Sequence, residues 1–336
     1  MKWFSLVASV LLLGTAAYGA SLNRDITFEQ FKELYGKQYT AEEEPQRRAI
    51  FEENLRWIQE NHGKHGAGLE VNEHADLTAE EFSSMYATLN QEAFLKSPLH
   101  KEFVQVPESD ISVALPAAFD WRQQWNTAVR NQGQCGSCWA FATAATVEAQ
   151  YAIRKNVHVT LSEQQLVDCD HRPFQGQYED HGCQGGNPII AYAYVQQTGL
   201  VEESAYPYQA RDGQCQSSTV NGHQRYHVSA GRELPFNATD ETIMNSLHQI
   251  GPMAVLIFAS DNEFRFYRNG VIQNLRPNSR QINHAVTLVG WGTEDGQDYW
   301  IVKNSWGPSW GESGYFRLGR HHNLIGINNY VFYPVL

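Results

Sequence analysis

The sequence is poor in basic residues and, beyond its first residues, in long apolar runs. Only 25 of its 336 residues are Lys or Arg, the formal net charge is −12, and no basic run exceeds two residues. These features exclude an electrostatic nucleic-acid binder and a polybasic membrane anchor. No repeat of fixed period is visible, which argues against a repeat protein. Hydrophobic residues still make up 42% of the chain, enough for the core of one large or two modest domains.

The first residues have the layout of a secretory signal peptide. Lys2 precedes an apolar run from Phe4 to Leu13, and small residues follow. We expect cleavage after Gly19, so that residues 1–19 are removed. A membrane anchor is the alternative interpretation, but the run is too short to span a bilayer comfortably.

Secretion gives meaning to the cysteine count. Five cysteines are present, none of them before Cys135. Because the number is odd, at least one thiol is free or pairs outside the chain. The chain therefore divides into a cysteine-free region and a region that contains every cysteine.

The cysteine-free region is acidic and helical. Residues 20–114 hold 9 basic and 18 acidic side chains, whereas residues 115–336 hold 15 and 19. Apolar periodicity predicts helices over residues 25–39, 42–61 and 78–89. The first has an apolar stripe made of Phe28, Phe31, Leu34 and Tyr35. Thr78 and Glu81 have the spacing of a capping box, and residues 90–114 predict an extended connector.

The second region combines a buried helix with strands. Twelve of the sixteen residues 138–153 are apolar, which predicts a helix buried nearly all round. Ser137 is placed to cap its N-terminus. Arg154 and Lys155 lie near its C-terminus, where the helix dipole favours cations. Beyond residue 225 the pattern changes to strands separated by turns.

Cys138 is placed for nucleophilic chemistry. It begins the buried helix, and a helix N-terminus lowers the pKa of a thiol by stabilising the thiolate. Cys135 lies three residues earlier, and this spacing also fits a redox pair or half of a zinc site. A zinc site needs a second pair at similar spacing, whereas Cys169 and Cys183 are fourteen residues apart. Zinc is therefore disfavoured.

A nucleophilic cysteine needs a base and a group that orients the base. Among 13 histidines, His284 lies in an apolar strand pattern. A lone histidine beside a core strand is usually structural. Asn304 ends the next apolar strand, however, and its amide oxygen can accept a hydrogen bond from the imidazole. The other ring nitrogen would then face the thiol.

Three segments together resemble the papain family of cysteine proteases. They are residues 132–141 (QGQCGSCWAF), 283–286 (NHAV) and 303–307 (KNSWG). The resemblance implies an α+β, two-lobed papain-like fold over residues 115–336. A helical lobe would occupy about 115–225 and a β-barrel-like lobe about 226–336. A helical inhibitory propeptide at 20–114 would precede them. The implied function is a secreted cysteine endopeptidase, made as a zymogen, that acts through a thioester acyl-enzyme.

The resemblance also implies roles for individual residues. Cys138 would be the nucleophile and His284 the general acid and base. Asn304 would orient His284, and Trp306 would shield that hydrogen bond from water. Gln132 would contribute its side-chain amide, with the Cys138 main-chain N–H, to the oxyanion hole. The implied disulfides leave Cys138 free and are Cys135–Cys183 and Cys169–Cys215.

The pocket for the second residue before the scissile bond also follows from the resemblance. Gly185 and Gly186 would lie at its rim and let the substrate backbone pair as an added strand. Its walls would be Pro188, Leu256, Ile282 and Ala285, with Tyr330 near the floor. These residues are apolar and none is Asp or Glu. We therefore expect Val, Leu or Ala there in preference to Arg or Trp.

The acidic segment matches the family's propeptide signature. The matching residues are Glu43, Arg47, Phe51, Asn54 and Ile58. His62 holds the position of the expected final Asn. A second motif keeps Asn72 and Asp76, while His74 replaces the usual Phe. Own-propeptide inhibition is therefore expected, alongside protein and peptide substrates and cystatin-like inhibitors, with no nucleic acid and no membrane as partners.

Residues 321–330 (HHNLIGINNY), and the absence of the family's third disulfide, resemble the group 1 allergen proteases of mites. Some relatives of that group carry a metal, to which Leu161, Glu163 and Glu203 could contribute. Thr160 stands where an Asp would help, so no metal and no cofactor is predicted. Asn237 heads the N-glycosylation sequon. The expected location is secreted, or a lysosomal or digestive compartment.

Two other functions stay open at this point. A thiol–disulfide oxidoreductase would use Cys135 and Cys138 and would carry a reducible bridge between them, but it gives no role to Asn304. A catalytically dead binding protein is disfavoured, because the whole set of expected catalytic residues is present.

Overall fold

A computed structural model of the protein describes residues 24–89, 114–125, 127–171, 180–275 and 282–336. The predicted signal peptide and nearly all of the predicted connector lie outside the described residues. Within the described part, no helix is both long enough and apolar enough to cross a membrane.

The first two helices of the N-terminal segment pack over an apolar cluster that also contains Phe266, whereas Phe82 and Tyr86 of the third helix lie in the core of the β half. The helices are α1 Phe28–Tyr35, α2 Glu44–Asn61 and α3 Ala79–Tyr86. The predicted capping box at Thr78 and Glu81 is confirmed, with both reciprocal hydrogen bonds formed. Phe28 and Phe31 are buried, but Leu34 is 59% exposed. The prediction was wrong for Leu34, because the cluster covers the line of the two phenylalanines and leaves the flank of this short helix in solvent.

The helical half of the second region is built around one buried helix. Its helices are α4 Cys138–Lys155, α5 Glu163–Cys169, α6 Pro188–Gln197 and α7 Ser217–Gly222. Most of α4 is buried, and Arg154 and Lys155 occupy its last turn, as predicted. Ser137 makes no capping hydrogen bond to α4. The capping prediction was wrong because the Ser137 hydroxyl lies against the hydroxyl of Tyr208 instead.

The other half is a sheet, and all but one of its own strands lie beyond residue 225, where the sequence pattern predicted strands. Its strands are β2 Phe119–Asp120, β3 Ala230–Glu233, β4 Met253–Ile257, β5 Tyr267–Ile272, β6 His284–Glu294, β7 Gln297–Lys303, β8 Tyr315–Gly319 and β9 Val331–Val335. Strand β1, Ala67–Leu69, comes from the N-terminal segment. The order is β1-β5-β8-β7-β6-β4-β9-β3, with β2 also beside β6. Helices α8 Asp240–Ile250 and α9 Asn262–Arg265 complete this half.

Two strands join regions that the sequence separated. Phe119 and Asp120 pair with β6, so these residues belong to the β half rather than to the helical lobe expected from residue 115. Their apolar neighbour Trp121 is buried in the core of the β half. Strand β1 pairs antiparallel with β5, with Ala67 opposite Gly270. The N-terminal segment thus adds an edge strand to the sheet of the second region.

Candidate active site

Cys138 and His284 begin two elements that meet between the halves of the peptidase. Cys138 opens α4 and carries a free thiol, and His284 opens β6. The main-chain amide of Ala285 lies within hydrogen-bond reach of the Cys138 thiol. The thiol is therefore next to the residue that follows His284. Both side chains are fully buried.

Asn304 and Trp306 fix the ring of His284. Asn304 follows the end of β7, and its Oδ1 accepts hydrogen bonds of 2.9 Å from His284 Nε2 and from the Ser305 main chain. An amide oxygen only accepts, so the neutral imidazole carries its proton on Nε2 and has Nδ1 as its acceptor atom. Nδ1 makes no hydrogen bond within the described residues. The centroid of the buried Trp306 ring lies 4.9 Å from that of His284. The indole therefore packs over the imidazole ring.

Burial keeps both reactive groups neutral in this covered state. It raises the pKa of Cys138 to about 11, although nearby main-chain amides, that of Ala285 first, oppose it. It lowers the pKa of His284 to about 4, against the Asn304 side chain and the main chain of Tyr86. The sequence predicted a lowered thiol pKa from the helix N-terminus. Desolvation outweighs that effect here, so the proton stays on sulfur.

Gln132 is held from several sides beside the start of α4. Its Nε2 donates to the Cys135 carbonyl at 3.0 Å, and its Oε1 accepts from Ser305 Oγ at 2.7 Å. Its own carbonyl accepts from the Tyr208 hydroxyl at 2.7 Å. Sequence reasoning missed Ser305 and Tyr208. Ser305 lies inside the Asn-Ser-Trp motif, so its contact with Gln132 could have been considered from the sequence. Tyr208 is distant from Gln132 in sequence, and no local pattern predicts their contact.

The chain after α3 covers the cleft from one wall to the other. Thr88 Oγ1 donates to the Gly136 carbonyl at 3.2 Å, and the Leu89 N–H donates to the Asn283 carbonyl at 3.1 Å. A Cβ on Gly185 would come within 2.5 Å of the Thr88 carbonyl oxygen, and Gly185 has a φ of +113°. Glycine at this position therefore lets the covering backbone approach the cleft wall.

The residues expected to line the substrate pocket come together. Leu256 pairs with Ala285 across β4 and β6, and its N–H donates to the Tyr330 carbonyl at 3.1 Å. Gly186 and Pro188 are buried at the start of α6. One buried apolar cluster contains the covering leucine and four of the expected pocket residues: Leu89, Leu256, Ile282, Ala285 and Tyr330. An aliphatic side chain of the N-terminal segment thus already packs in this cluster.

Other predicted features lie outside the cleft. The disulfides join Cys135 to Cys183 and Cys169 to Cys215. Arg130 pairs with both Glu163 and Glu203, so a guanidinium fills the space between the carboxylates considered for a metal. Across the described ranges, no group of three or more His, Cys, Asp or Glu side chains is arranged to hold a metal ion. Asn237 is exposed, and its Oδ1 accepts from Asn323 at 3.1 Å.

Comparisons with known proteins agree on one family. The family model "Papain family cysteine protease" matches residues 115–335, and "Cathepsin propeptide inhibitor domain" matches residues 28–82. A "Cysteine protease" of Blomia tropicalis is 42% identical over 340 residues, covering 100% of both chains. A solved structure from work on the mite allergens Blo t 1 and Der p 1 is 42% identical with a TM-score of 0.85, covering 93% of this chain and 99% of that chain. Digestive procathepsin L 3 of Tenebrio molitor larval midgut is 34% identical with a TM-score of 0.80, covering 92% and 97%.

Proposed function

The chain belongs to the papain family of cysteine proteases, and from this membership we propose that Cys138 is its nucleophile and His284 its general acid and base. It is a cysteine endopeptidase that carries the family's inhibitory propeptide. The observation that carries the assignment is the 2.9 Å hydrogen bond between His284 and Asn304, beside a free thiol at the start of α4.

The reaction begins when the covering segment leaves the cleft. Water and substrate then enter, the thiol proton passes to His284 Nδ1, and a thiolate–imidazolium pair forms. The thiolate attacks the substrate carbonyl carbon, and the oxyanion is held by Gln132 Nε2 and the Cys138 main-chain N–H. The imidazolium protonates the leaving amine and a thioester remains. Water deprotonated by His284 then hydrolyses the thioester.

The proposal extends to partners and location. Thr88 and Leu89 bond to both walls of the cleft, which supports an intramolecular inhibitor that excludes substrate. Cystatin-like inhibitors would compete for the same cleft. The predicted signal peptide, the disulfides and the digestive relative support a secreted zymogen, or one sent to a digestive or lysosomal compartment. Exposure of Asn237 supports its use as a glycosylation site.

Thiol chemistry on the mature enzyme separates this proposal from a disulfide oxidoreductase. We expect one reactive thiol per molecule, and its alkylation should remove peptidase activity in proportion. Peptide mapping should place the label on Cys138. A reducible Cys135–Cys138 bridge, or full activity after alkylation of Cys138, would contradict the proposal.

A further inference from the structure

Tyr208 joins the two chain segments that carry the proposed oxyanion donors. Its hydroxyl donates to the main-chain oxygen of Gln132 at 2.7 Å and lies 2.5 Å from Ser137 Oγ. A phenol has one proton, so Ser137 donates to the phenol oxygen. Ser137 immediately precedes Cys138, whose N–H is the second proposed donor. One side chain therefore contacts both sides of the oxyanion site.

Tyr208 is itself held in place. Its ring packs edge-to-face on Phe141 of α4, with centroids 4.9 Å apart. Its main-chain N–H donates to the Glu203 carboxylate at 3.2 Å. Farther along the same loop, Cys215 is tied to α5 by a disulfide. These contacts hold Tyr208 in position, so that its hydroxyl can stabilise the segment that precedes α4.

We propose that Tyr208 is a positioning residue for the oxyanion site, an inference that rests on the proposed function. Without its hydroxyl, the Gln132 carbonyl and the Ser137 hydroxyl lose their common partner. The Gln132 side chain keeps its bonds to Cys135 and Ser305, but the main chain that sets the spacing of the two donors is held less firmly. Oxyanion donors act by fixed placement, so a small displacement lowers kcat. Substrate binding elsewhere in the cleft is retained, so KM should not change.

The test is Tyr208→Phe in the mature enzyme, which keeps the ring and its packing. We expect kcat on a peptide substrate to fall by roughly tenfold, with KM unchanged. The rate at which iodoacetamide alkylates Cys138 should also be unchanged, because alkylation does not use the oxyanion site. Tyr226→Phe is the matched control. Its hydroxyl donates to Glu202 at 2.9 Å on the surface, and its removal should leave kcat unaltered.

Two outcomes would overturn the role of Tyr208. One is a kcat that stays at the wild-type value, and the other is a fall in kcat matched by an equal fall in alkylation rate, which would indicate damage to the nucleophile. The variant Gln132→Ala distinguishes failure of the oxyanion assignment from failure of the positioning role of Tyr208. If that variant also retains full kcat, the oxyanion assignment in the proposed function fails, and not the role of Tyr208 alone.

A second and independent observation concerns His74 in the N-terminal segment. Its side chain is buried, and neither ring nitrogen has a hydrogen-bond partner among the residues that the structure describes. The ring packs edge-on against Phe82, Tyr86 and Trp306, with centroids 5.2, 4.5 and 5.7 Å away. Trp306 is also the indole that covers His284. An unpaired histidine thus lies at the boundary between propeptide and peptidase.

The groups around His74 disfavour its protonation. The ionisable side chains on the elements packed around the ring are Lys37, Glu73, Asp76, Glu80, Glu81, Tyr86, Glu263, Arg265 and His284. Burial, and then the positive charges of Arg265 and Lys37, hold the pKa of His74 well below its usual range. The Glu73 carboxylate lies 4.0 Å from Nε2, beyond hydrogen-bond reach. The docked segment therefore requires a neutral His74.

We infer that protonation of His74 releases the N-terminal segment from the peptidase in mild acid. Once released, the exposed ring regains an ordinary pKa near 6.5. The docked state binds fewer protons than the released state, so docking is strongest above that pH and weakens as the pH falls. The loss is about tenfold for each pH unit, up to about 100-fold at pH 4.5.

The test compares maturation rates of full-length zymogens from pH 7.5 to pH 4.5. His74→Phe and His74→Gln differ in size, but neither side chain titrates. Both should lose up to about 100-fold of the acid acceleration seen in the wild type. His65→Gln is the matched control, since His65 Nδ1 lies 2.7 Å from the Glu263 carboxylate of the peptidase. This ring lies at the same interface but has a hydrogen-bond partner there, so the control should keep its acceleration.

Retention of the wild-type pH slope by both variants would overturn the role of His74. So would a change in rate that is the same at every pH, because that would reflect packing alone. The substitutions can also be placed in a Cys138→Ala zymogen, which does not mature itself. There the acid-induced fall in melting temperature of the propeptide–peptidase unit should be smaller in both variants.

Discussion

His74 of the propeptide and His284 of the peptidase both lie buried against Trp306, but only His284 is oriented by a hydrogen bond. Burial lowers the pKa of each ring. The Asn304 partner of His284 belongs to the peptidase and stays when the cover is lost. His74 has no such partner among the described residues. The proposed proton-transfer histidine is thus positioned by a partner in its own region, whereas burial disfavours protonation of His74 only while the segment is docked.

The N-terminal segment also differs from the rest of the chain in its excess of acidic side chains. The segment at residues 20–114 holds 18 acidic and 9 basic side chains. One of its carboxylates pairs across the interface, that of Glu70 with Arg268 at 3.1 Å. Arg47 and Glu81 instead pair within the segment, and this pairing lowers the pKa of Glu81. Its stabilisation is present at neutral pH and is lost only below about pH 4.5, whereas His74 responds from about pH 6.5 downwards.

The largest expected effect comes from removing the proposed nucleophile, the thiol of Cys138. Cys138→Ala should lower peptidase activity by more than about 10⁴-fold, because the proposed mechanism has the Cys138 thiolate as its nucleophile. The zymogen should still fold and keep its propeptide, and it should not mature without added protease. Peptide hydrolysis by the processed variant checks this. Activity within tenfold of the wild type would remove Cys138 from the mechanism.

A second prediction concerns the substrate side chain that the apolar pocket beside Leu89 accepts. Leu89 packs in the apolar cluster that contains Leu256 and Ala285, so the pocket should accept aliphatic groups. Val at the second position before the scissile bond should exceed Arg by roughly 10- to 100-fold in kcat/KM, from about 1.5–3 kcal/mol of apolar transfer energy. A matched peptide pair measures this ratio. Equal values, or a higher value for Arg, would show that the pocket is assigned to the wrong residues.

A third prediction separates the contribution of the Arg47–Glu81 ion pair to propeptide docking from the pH-dependent effect of His74. Arg47 donates to both oxygens of Glu81, at 2.7 and 2.8 Å. Glu81→Gln should weaken the propeptide by about 1 kcal/mol and speed maturation at pH 7.5 about fivefold. Glu80→Gln, on the exposed side of the same helix, is the control and should have no effect. If Glu81→Gln matures at the wild-type rate, the internal ion pair does not help to hold the cover.

The smallest expected effect concerns the floor of the pocket. Tyr330→Ala should deepen the pocket and raise kcat/KM for a Phe peptide relative to a Val peptide by roughly threefold. The ratio of the two values in one assay series is insensitive to the amount of active enzyme. An unchanged ratio would show that Tyr330 does not form the floor.

The motifs predicted the architecture well because they combine local chemistry with spacing. The buried helix α4, the strands that begin at His284 and end before Asn304, and the capping box at Thr78 all depend on patterns within a few residues of one another. Apolar periodicity and capping are local rules, and tertiary packing here reinforces them.

The remaining features depend on contacts between distant residues. Leu34 is exposed and Ser137 does not cap α4, because packing and a hydroxyl from another loop decide their surroundings. The role of Tyr208 could not be found from spacing, since the sequence does not show which loop lies against Gln132. The direction of the Cys138 pKa shift was wrong because the local helix effect was considered without the burial imposed by a separate segment.

The central claim is that the cover holds Cys138 as a neutral thiol and that its removal creates the reactive thiolate. Iodoacetamide alkylation of Cys138, measured from pH 6 to pH 9 on the zymogen and on the mature enzyme, tests it directly. The zymogen thiol, with its pKa raised to about 11, should react at least about 100-fold more slowly at pH 7 and should gain rate steadily as the pH rises. The mature enzyme should react rapidly with little change across this range. Equal rates and equal pH dependence in the two forms would contradict the account.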